Sequence, residues 1–400
     1  MNDSNLIQDL QALSQLPSDW SINSFRDLVL DKSSGNKKIA KSALLTSGEY
    51  PVIDQGKDYI AGYNNNIDNL VKSEPPFIIF GDHTRILKYV HFPFVMGADG
   101  TKVLKVKDEE RIHPKYLYYF FNTLRIPNTG YNRHFKFLKE SKIPLPSLPI
   151  QKRIAAILDE ADRLRQLDAA MLKKYDQLTQ SLFLEMFGDV RTNNLGWDVV
   201  TFSEVAESRL GKMLDKKKQS GTNRKPYLRN ANVQWMRFDL SQVYEMDFNL
   251  KEQVEFNLQK GDILICEGGE VGRCAIWKDD LTECYFQKAL HRVRVKKNKI
   301  NNVFLVSLFK EMADKNCFDD YVTSATIAHL TGAKLKSMKI ICPPISLQLE
   351  YFNRITAIES QKSQMQATAT KSEELFQSLL QRAFKGELVK EAQLNDMATA

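Results

Sequence analysis

Cysteine is scarce in this sequence and confined to one region: five residues, all between Cys266 and Cys342, with no CxxC pair and no His-x3-His partner. Neither a zinc site nor a disulfide framework is supported, and reduced thiols are expected. The six histidines are scattered, and the carboxylates form no acid–base constellation. No GxxxxGK[ST] loop is present to hold ATP phosphates. A methyltransferase acting on an exocyclic amine would need a glycine-rich cofactor loop and a polar residue before Pro-Pro-aromatic. The nearest stretch, Cys342-Pro343-Pro344-Ile345, lacks both the polar residue and the aromatic. Glu267 to Arg273, EGGEVGR, follows a strand pattern but precedes no helix pattern, which favours a hairpin over a nucleotide loop. There is no apolar run of about 18 residues, no signal peptide and no lipidation motif, so a cytoplasmic protein without membrane contact is expected.

What is present is ordinary for a globular chain: 400 residues, 43% hydrophobic and 26% charged, with a formal net charge of +7. That length is a prior for two or three domains, and the mild positive charge leans towards an acidic partner. The most ordered stretch runs from Lys142 to Asp189. Pro144, Pro146 and Pro149 keep its start extended, and a long helix is predicted from near Ile150 to a stop at Gly188. Ile157, Ala161, Leu164, Met171, Tyr175, Leu178 and Leu182 recur at spacings of four and three, with Asp168 the one polar residue of the series. This is a coiled-coil seam. Further apolar residues off that seam, including Ile154, Leu158, Leu167, Leu172, Phe183, Leu184 and Phe187, call for additional helices packed on it.

The stretch recurs at the end of the chain. Ile143, Pro146, Gln151 and Leu158 fall on Ile340, Pro343, Gln348 and Ile355 at one constant shift, and Gln180-Ser181-Leu182 fall on Gln377-Ser378-Leu379. The second helix is poor in apolar residues through SQKSQMQATATKSE and needs a partner to hold. The openings also match, Trp20 with Trp197 and Phe25 with Phe202, so the chain reads as two units, each a domain followed by a long helix. A short amphipathic helix is predicted at Leu6, Leu10 and Leu13. Strands are predicted at Pro51 to Ile53, from Phe77, at Thr101 to Val106, from Pro226, from Gly261 and at Ala289 to Val295, and one helix closes each domain, from Tyr116 and from Val303. The boundaries expected are 1–147, 148–190, 191–345 and 346–400, in an α+β fold.

The divergent middles of the two domains mix basic, amide and aromatic residues. The first carries Asn36, Lys37, Lys38, Tyr63, Asn64, His83, Thr84, Arg85, Arg133 and His134, with Tyr59 and Tyr131 beside them. The second carries Lys212, Lys216, Lys217, Lys218, Arg224, Arg229, Asn230, Asn232, Arg273, Gln287, His291 and Arg292. Such sets suit DNA, where Lys and Arg neutralise phosphates and Arg, Asn and Gln read base edges in pairs of hydrogen bonds. Any one of these residues taken alone is more simply a solvated surface or a turn; it is their recurrence in both units that favours DNA.

On the PLPSLPIQKRIAAILD stretch at Pro144 to Asp159, the FIIFGDHTRILKYV block from Phe77, the GDILICEGGEVGRCAIW block from Gly261 and the paired Trp20 and Trp197 openings, the chain resembles the specificity subunit of a type I restriction-modification system. The resemblance covers nearly the whole chain. It implies two target recognition domains, each reading one half of a split double-stranded DNA site, and two long helices paired as an antiparallel coiled coil. It also implies that two modification subunits bind the helices, for which Phe183, Phe187, Leu379 and Phe384 are the candidate docking residues, and that restriction subunits join them. No cofactor is expected in this chain; S-adenosylmethionine, ATP and Mg would belong to the partners. Two rival readings stay open on the residues alone, a self-contained DNA methyltransferase and an adaptor with no sequence preference. If the helices lie along the DNA, their length sets the gap between half-sites.

Overall fold

The computed structural model describes residues 16–130, 132–215, 219, 221–321 and 329–388. The amphipathic helix expected at Leu6 to Leu13, Tyr131, and the run Lys216, Lys217 and Lys218 lie outside the described residues. The chain divides into two compact units, Met1–Ala170 with Gln366–Ala400, and Met171–Met365.

In the first unit the strand Ser21–Ser24 (β1) pairs antiparallel with Lys142–Leu145 (β9), closing the domain where its chain begins and ends. A one-turn helix, Phe25–Leu28 (α1), follows β1 because Ser24 and Asp27 cap each other: the Ser24 N–H donates to the Asp27 carboxylate at 3.0 Å and the Asp27 N–H to Ser24 Oγ at 3.3 Å. The main sheet is antiparallel, in the order β2 (Val29–Asp31), β8 (Thr101–Val106), β5 (Phe77–Gly81) and β6 (Leu87–Val90). A three-stranded sheet sets β3 (Tyr50–Ile53) between β4 (Gly62–Asn64) and β7 (Val95–Met96), with β7 parallel to β3.

Every residue of β5 is buried, because the strand is covered on both faces. Ile78 and Phe80 face Tyr116, Leu117 and Phe120 of the helix Pro114–Thr123 (α2). Phe77 and Ile79 face Ile53, Phe94 and Met96. The last helix of the domain is Phe135–Lys139 (α3).

The second unit repeats this topology strand for strand. Val199–Thr201 (β10) pairs with Lys339–Ile341 (β20), and Phe202–Val205 (α5) carries the equivalent capping box, Thr201 with Glu204. The four-stranded sheet runs β11 (Ala206–Leu210), β19 (Leu290–Val295), β16 (Ile263–Cys266) and β17 (Cys274–Ile276). The three-stranded sheet again has a central strand, β12 (Arg224–Leu228), between antiparallel β15 (Tyr244–Asp247) and parallel β18 (Tyr285–Phe286). Helices Leu250–Phe256 (α6), Asn302–Asp314 (α7) and Gly332–Ser337 (α8) complete it. The second unit also has a hairpin, β13 (Val233–Gln234) and β14 (Arg237–Phe238), whose turn donates the Met236 N–H to the Cys274 carbonyl at 3.0 Å.

The long helices are Leu148–Phe187 (α4) and Ile345–Phe384 (α9), 40 residues each. Gln151 and Gln348, one turn in, are fully buried. Gln151 accepts the His113 N–H at 2.8 Å and donates to the Pro146 carbonyl at 2.8 Å; Gln348 accepts the Asn301 N–H at 2.8 Å and donates to Pro343 at 2.7 Å. Each glutamine therefore ties its helix to the residue that leads into α2 or α7. In the first unit Ile154, Leu158 and Ala161 of α4 share a core with Phe376, Leu380 and Ala383 of α9, and Arg165 pairs with Glu373 at 3.3 Å. In the second, Leu182, Phe183 and Phe187 share a core with Tyr351 and Ile355, and Asp176 pairs with Lys362 at 2.7 Å. The pairing is antiparallel.

The seam differs from expectation in one of its two rows. Ala161, Asp168, Tyr175 and Leu182 lie on the inner face, but the alternating row is Leu158, Arg165, Leu172 and Thr179. Leu164, Met171 and Leu178 are 38%, 43% and 47% exposed. In the alternating row the Arg165 guanidinium lies 4.2 Å above the Phe376 ring, so a residue that reads as surface lies against the partner helix. The docking residues Phe183 and Phe187 are also corrected, whereas Phe384 is partly buried. Phe183 and Phe187 are 1% and 0% exposed against Phe304 and Tyr351, and Phe384 packs on Tyr116 and Phe120. The additional packing partners for Phe183 and Phe187 are thus in the chain's own second domain, and those for Ile154 and Leu158 in its first.

Removing the Phe187 ring leaves a cavity that three aromatic neighbours cannot close. Phe187→Ala should lower the stability of the second unit by about 3–5 kcal/mol. Denaturant unfolding followed by aromatic fluorescence checks this; a loss below about 1 kcal/mol would contradict the packing described.

Candidate nucleic-acid interface

The candidate residues are placed by strand polarity. In the first unit β2 and β5 both run antiparallel to β8, so they are parallel to each other and their C-terminal ends share one rim of the sheet with the start of β8. The loop after β2 carries Asn36, Lys37 and Lys38, the β5–β6 hairpin carries His83, Thr84 and Arg85, and the loop into β8 carries Asp99 and Gly100. The rim encloses a cleft of about 630 Å³ that brings together Asn36, Lys38, His83 and Arg133 with Lys102 and Asp99.

Gln55 holds this cleft, a residue outside the expected set. Its side chain accepts the His83 N–H at 3.1 Å and donates to the Asp99 carbonyl at 2.7 Å, while its carbonyl accepts Thr84 Oγ at 2.6 Å. Gly81 and Gly100 lie so close to Thr84 and Gln55 that a Cβ would come within 2.0 Å and 2.6 Å of them. Lys37, Lys38 and Arg133 project from the rim as exposed cations, with Lys38 and Asp99 at 3.3 Å in a solvent-screened pair.

The second unit has the same rim. β11 and β16 are both antiparallel to β19, so the loop after β11, the β16–β17 hairpin and the approach to β19 lie together. The hairpin is the glycine-rich stretch, as expected, and it meets the loop after β12. Arg273 donates to the Asn230 carbonyl at 3.1 Å and to the Glu270 carboxylate at 3.2 Å, and Asn230 donates to the Gly268 carbonyl at 2.8 Å. Arg229 stacks on Tyr244 with its guanidinium 3.7 Å from the ring centre. Three buried polar atoms in this cluster, Arg229 Nε, Asn230 Oδ1 and Arg273 Nε, have no hydrogen-bond partner, and Arg85 Nε in the matching hairpin of the first unit has none. Each hairpin thus carries one buried guanidinium nitrogen without a partner, Arg273 Nε in the second unit and Arg85 Nε in the first. Trp235 and Glu270 also belong to the cluster and were missed, because neither fits a basic and amide pattern.

Several expected residues serve the fold. His134 and His291 are 0% and 1% exposed, with ring nitrogens bonded to the Asp82 carbonyl at 2.9 Å and the Leu330 carbonyl at 3.0 Å. Burial holds the His291 pKa below the ordinary histidine value. Asn232 is buried and donates to the Asp239 and Gln242 carbonyls. Asn36 clamps its own turn, donating to the Lys32 carbonyl and accepting the Lys72 N–H, and Asn64 accepts Asn66 and Asn69 donors. Arg85, at a φ of 64°, gives Nη1 to the Ile126 carbonyl; Arg292 gives Nη1 to the carbonyls of Glu255 and Asn257. Lys212 pairs with Glu252 at 2.5 Å, inside a cleft of about 810 Å³. Gln287 joins Lys212 in an isolated bridge on the rim, Tyr63 pairs with Pro51, and Arg224 is exposed at the start of β12.

The exposed cations and the clamps should respond differently to mutation. Lys38→Ala should weaken DNA binding evenly across sequences and reduce the salt slope by about 1. Binding titrations at several salt concentrations check this, and an unchanged affinity and slope would remove Lys38 from the interface.

Comparison with known proteins agrees with this architecture. Residues 17–178 and 194–375 match the family described as type I restriction modification DNA specificity domain. The specificity subunit of the type I restriction enzyme EcoR124I/EcoR124II from Escherichia coli is 32% identical over 161 residues, which is 36% of this chain and 40% of that protein. A putative type I specificity subunit from Haemophilus influenzae is 23% identical over 331 residues, 78% of this chain and 80% of that protein. Among solved structures, the S subunit of a type I restriction-modification system from M. genitalium superimposes with a TM-score of 0.56 at 15% identity, covering 92% of this chain and 98% of that one. With both repeats matched, the chain belongs to the type I restriction modification DNA specificity family.

Proposed function

We propose that this chain is the sequence-reading subunit of a type I restriction-modification complex, and that the rim of each unit reads one half of a split double-stranded DNA site. One observation carries the proposal: the same strand polarity brings polar loops of unrelated sequence to the same rim in both units. A frame held constant under divergent loops is what two readers of different half-sites require. Lys37, Lys38 and Arg133 are assigned to phosphates, and Arg229 and Asn230 to base edges. Among the described residues no group of three or more His, Cys, Asp or Glu is placed to hold a metal ion. Methyl transfer with S-adenosylmethionine, and ATP- and Mg-dependent cleavage, are assigned to the modification and restriction subunits.

The helices supply the docking surface and the spacing between half-sites in this reading. In the first unit Ile157, Leu164, Leu375 and Leu379 line an apolar groove, where Leu164 and Leu375 are 38% and 48% exposed. This groove, which includes the expected Leu379, takes the place of Phe183 and Phe187, which are buried. It suits a helix of a modification subunit, whose apolar face would cover leucines left open by the coil.

Exchange of residues 20–142 for the matching segment of a relative with a different target tests the reading. Methylome sequencing should then show one half of the recognised site replaced and the other kept. Both halves altered, or neither, would overturn the two-reader proposal.

A further inference from the structure

One group on the rim of the second unit has the wrong sign for a phosphate contact. Glu270 stands in the β16–β17 hairpin with its side chain 53% exposed, among residues assigned to DNA. A carboxylate at such a surface repels the backbone, and it is tolerated where it meets a donor.

The carboxylate is held from both sides. Trp235 Nε1 donates to one oxygen, and Arg273 Nη1 lies 3.2 Å from the other. Arg273 is itself fixed by the Asn230 carbonyl, and the loop is fixed by two glycines in left-handed conformation. Gly269, at a φ of 78°, lies under the Asn230 amide, and Gly272, at 80°, lies so close to the Phe318 ring that a Cβ would sit 2.4 Å from it. Trp235 reaches the carboxylate from the β13–β14 hairpin, which the second domain inserts between its strands β12 and β15.

An ionised carboxylate only accepts hydrogen bonds, so the base edge it can read is an amine: N4 of cytosine or N6 of adenine. Adenine presents N7, another acceptor, beside N6, and that lone pair opposes a carboxylate. Cytosine has no acceptor next to N4 in the major groove. From this geometry we infer that Glu270 is a specificity-determining residue that accepts a hydrogen bond from a cytosine N4 amine in the half-site read by the second unit. Trp235 and Arg273 are the positioning residues that hold it. The inference rests on the DNA-reading function proposed above.

The test uses the complete methyltransferase complex and duplexes randomised across the recognised site, with the wild-type chain, Glu270→Gln and Trp235→Phe. The half-site belonging to the second unit is identified as the bases that change when residues 197–341 are exchanged for those of a relative. Glu270→Gln should relax discrimination at one C·G position of that half by roughly 5- to 150-fold, and shift it towards A·T, which a glutamine amide reads in a bidentate pair. Trp235→Phe should relax the same position less, with the salt slope unchanged. The other half-site should keep its wild-type profile in both variants.

An unchanged base profile in Glu270→Gln, or a uniform loss of affinity with the profile intact, would overturn the inference and leave Glu270 as a loop anchor. A wild-type complex in which exchange of residues 197–341 alters no base preference would instead overturn the DNA-reading function, and the inference with it.

Discussion

A central strand flanked by two antiparallel neighbours fixes where everything else in each unit can go. β8 in the first unit and β19 in the second each sit between such neighbours, so the strands on either side must end at the same rim. The loops that leave that rim are free in sequence and length while their starting points are not. The core supports this by covering both faces of β5 and β16, whose residues are all buried. A one-residue slip in either strand would move every side chain to the opposite face, so the register, and with it the rim, is strongly specified.

The helices are secured by a different kind of contact. Gln151 and Gln348 each satisfy one backbone donor and backbone acceptors while fully buried, which makes the angle between domain and helix a matter of hydrogen bonding as well as packing. The middle of the helix pair is much more polar. Arg165, Asp168 and Thr179 occupy inner positions of α4, and Lys362 and Ser372 those of α9, with Asp168 Oδ2 and Thr179 Oγ1 buried and without partners. Polar groups at such positions cost stability and select a single register, in contrast to the helix ends, where the buried apolar residues of both helices lie.

The frame was legible in the sequence because it is repeated. Gln151 with Gln348, Trp20 with Trp197 and the proline-led helix starts recur at constant shifts, and repetition separates signal from chance. The exchange of Leu164 for Arg165 on the inner face was not legible, since periodicity counts arginine as surface and cannot register a guanidinium resting on Phe376. The sites were read less well than the fold. Composition pointed to the rim loops, but it could not separate Lys38, which is exposed, from His134, Asn232 and His291, whose polar groups are consumed by neighbouring carbonyls. It also passed over Gln55, Trp235 and Glu270, because their roles depend on loops brought together from distant parts of the chain.

The central claim is that two rims in one chain read two separate DNA segments. Genome-wide mapping of adenine methylation in cells that contain the chain with its modification subunit tests it most directly. The account predicts a single bipartite motif, two short specified segments separated by a fixed number of unspecified bases. A contiguous motif, or methylation without sequence preference, would contradict it.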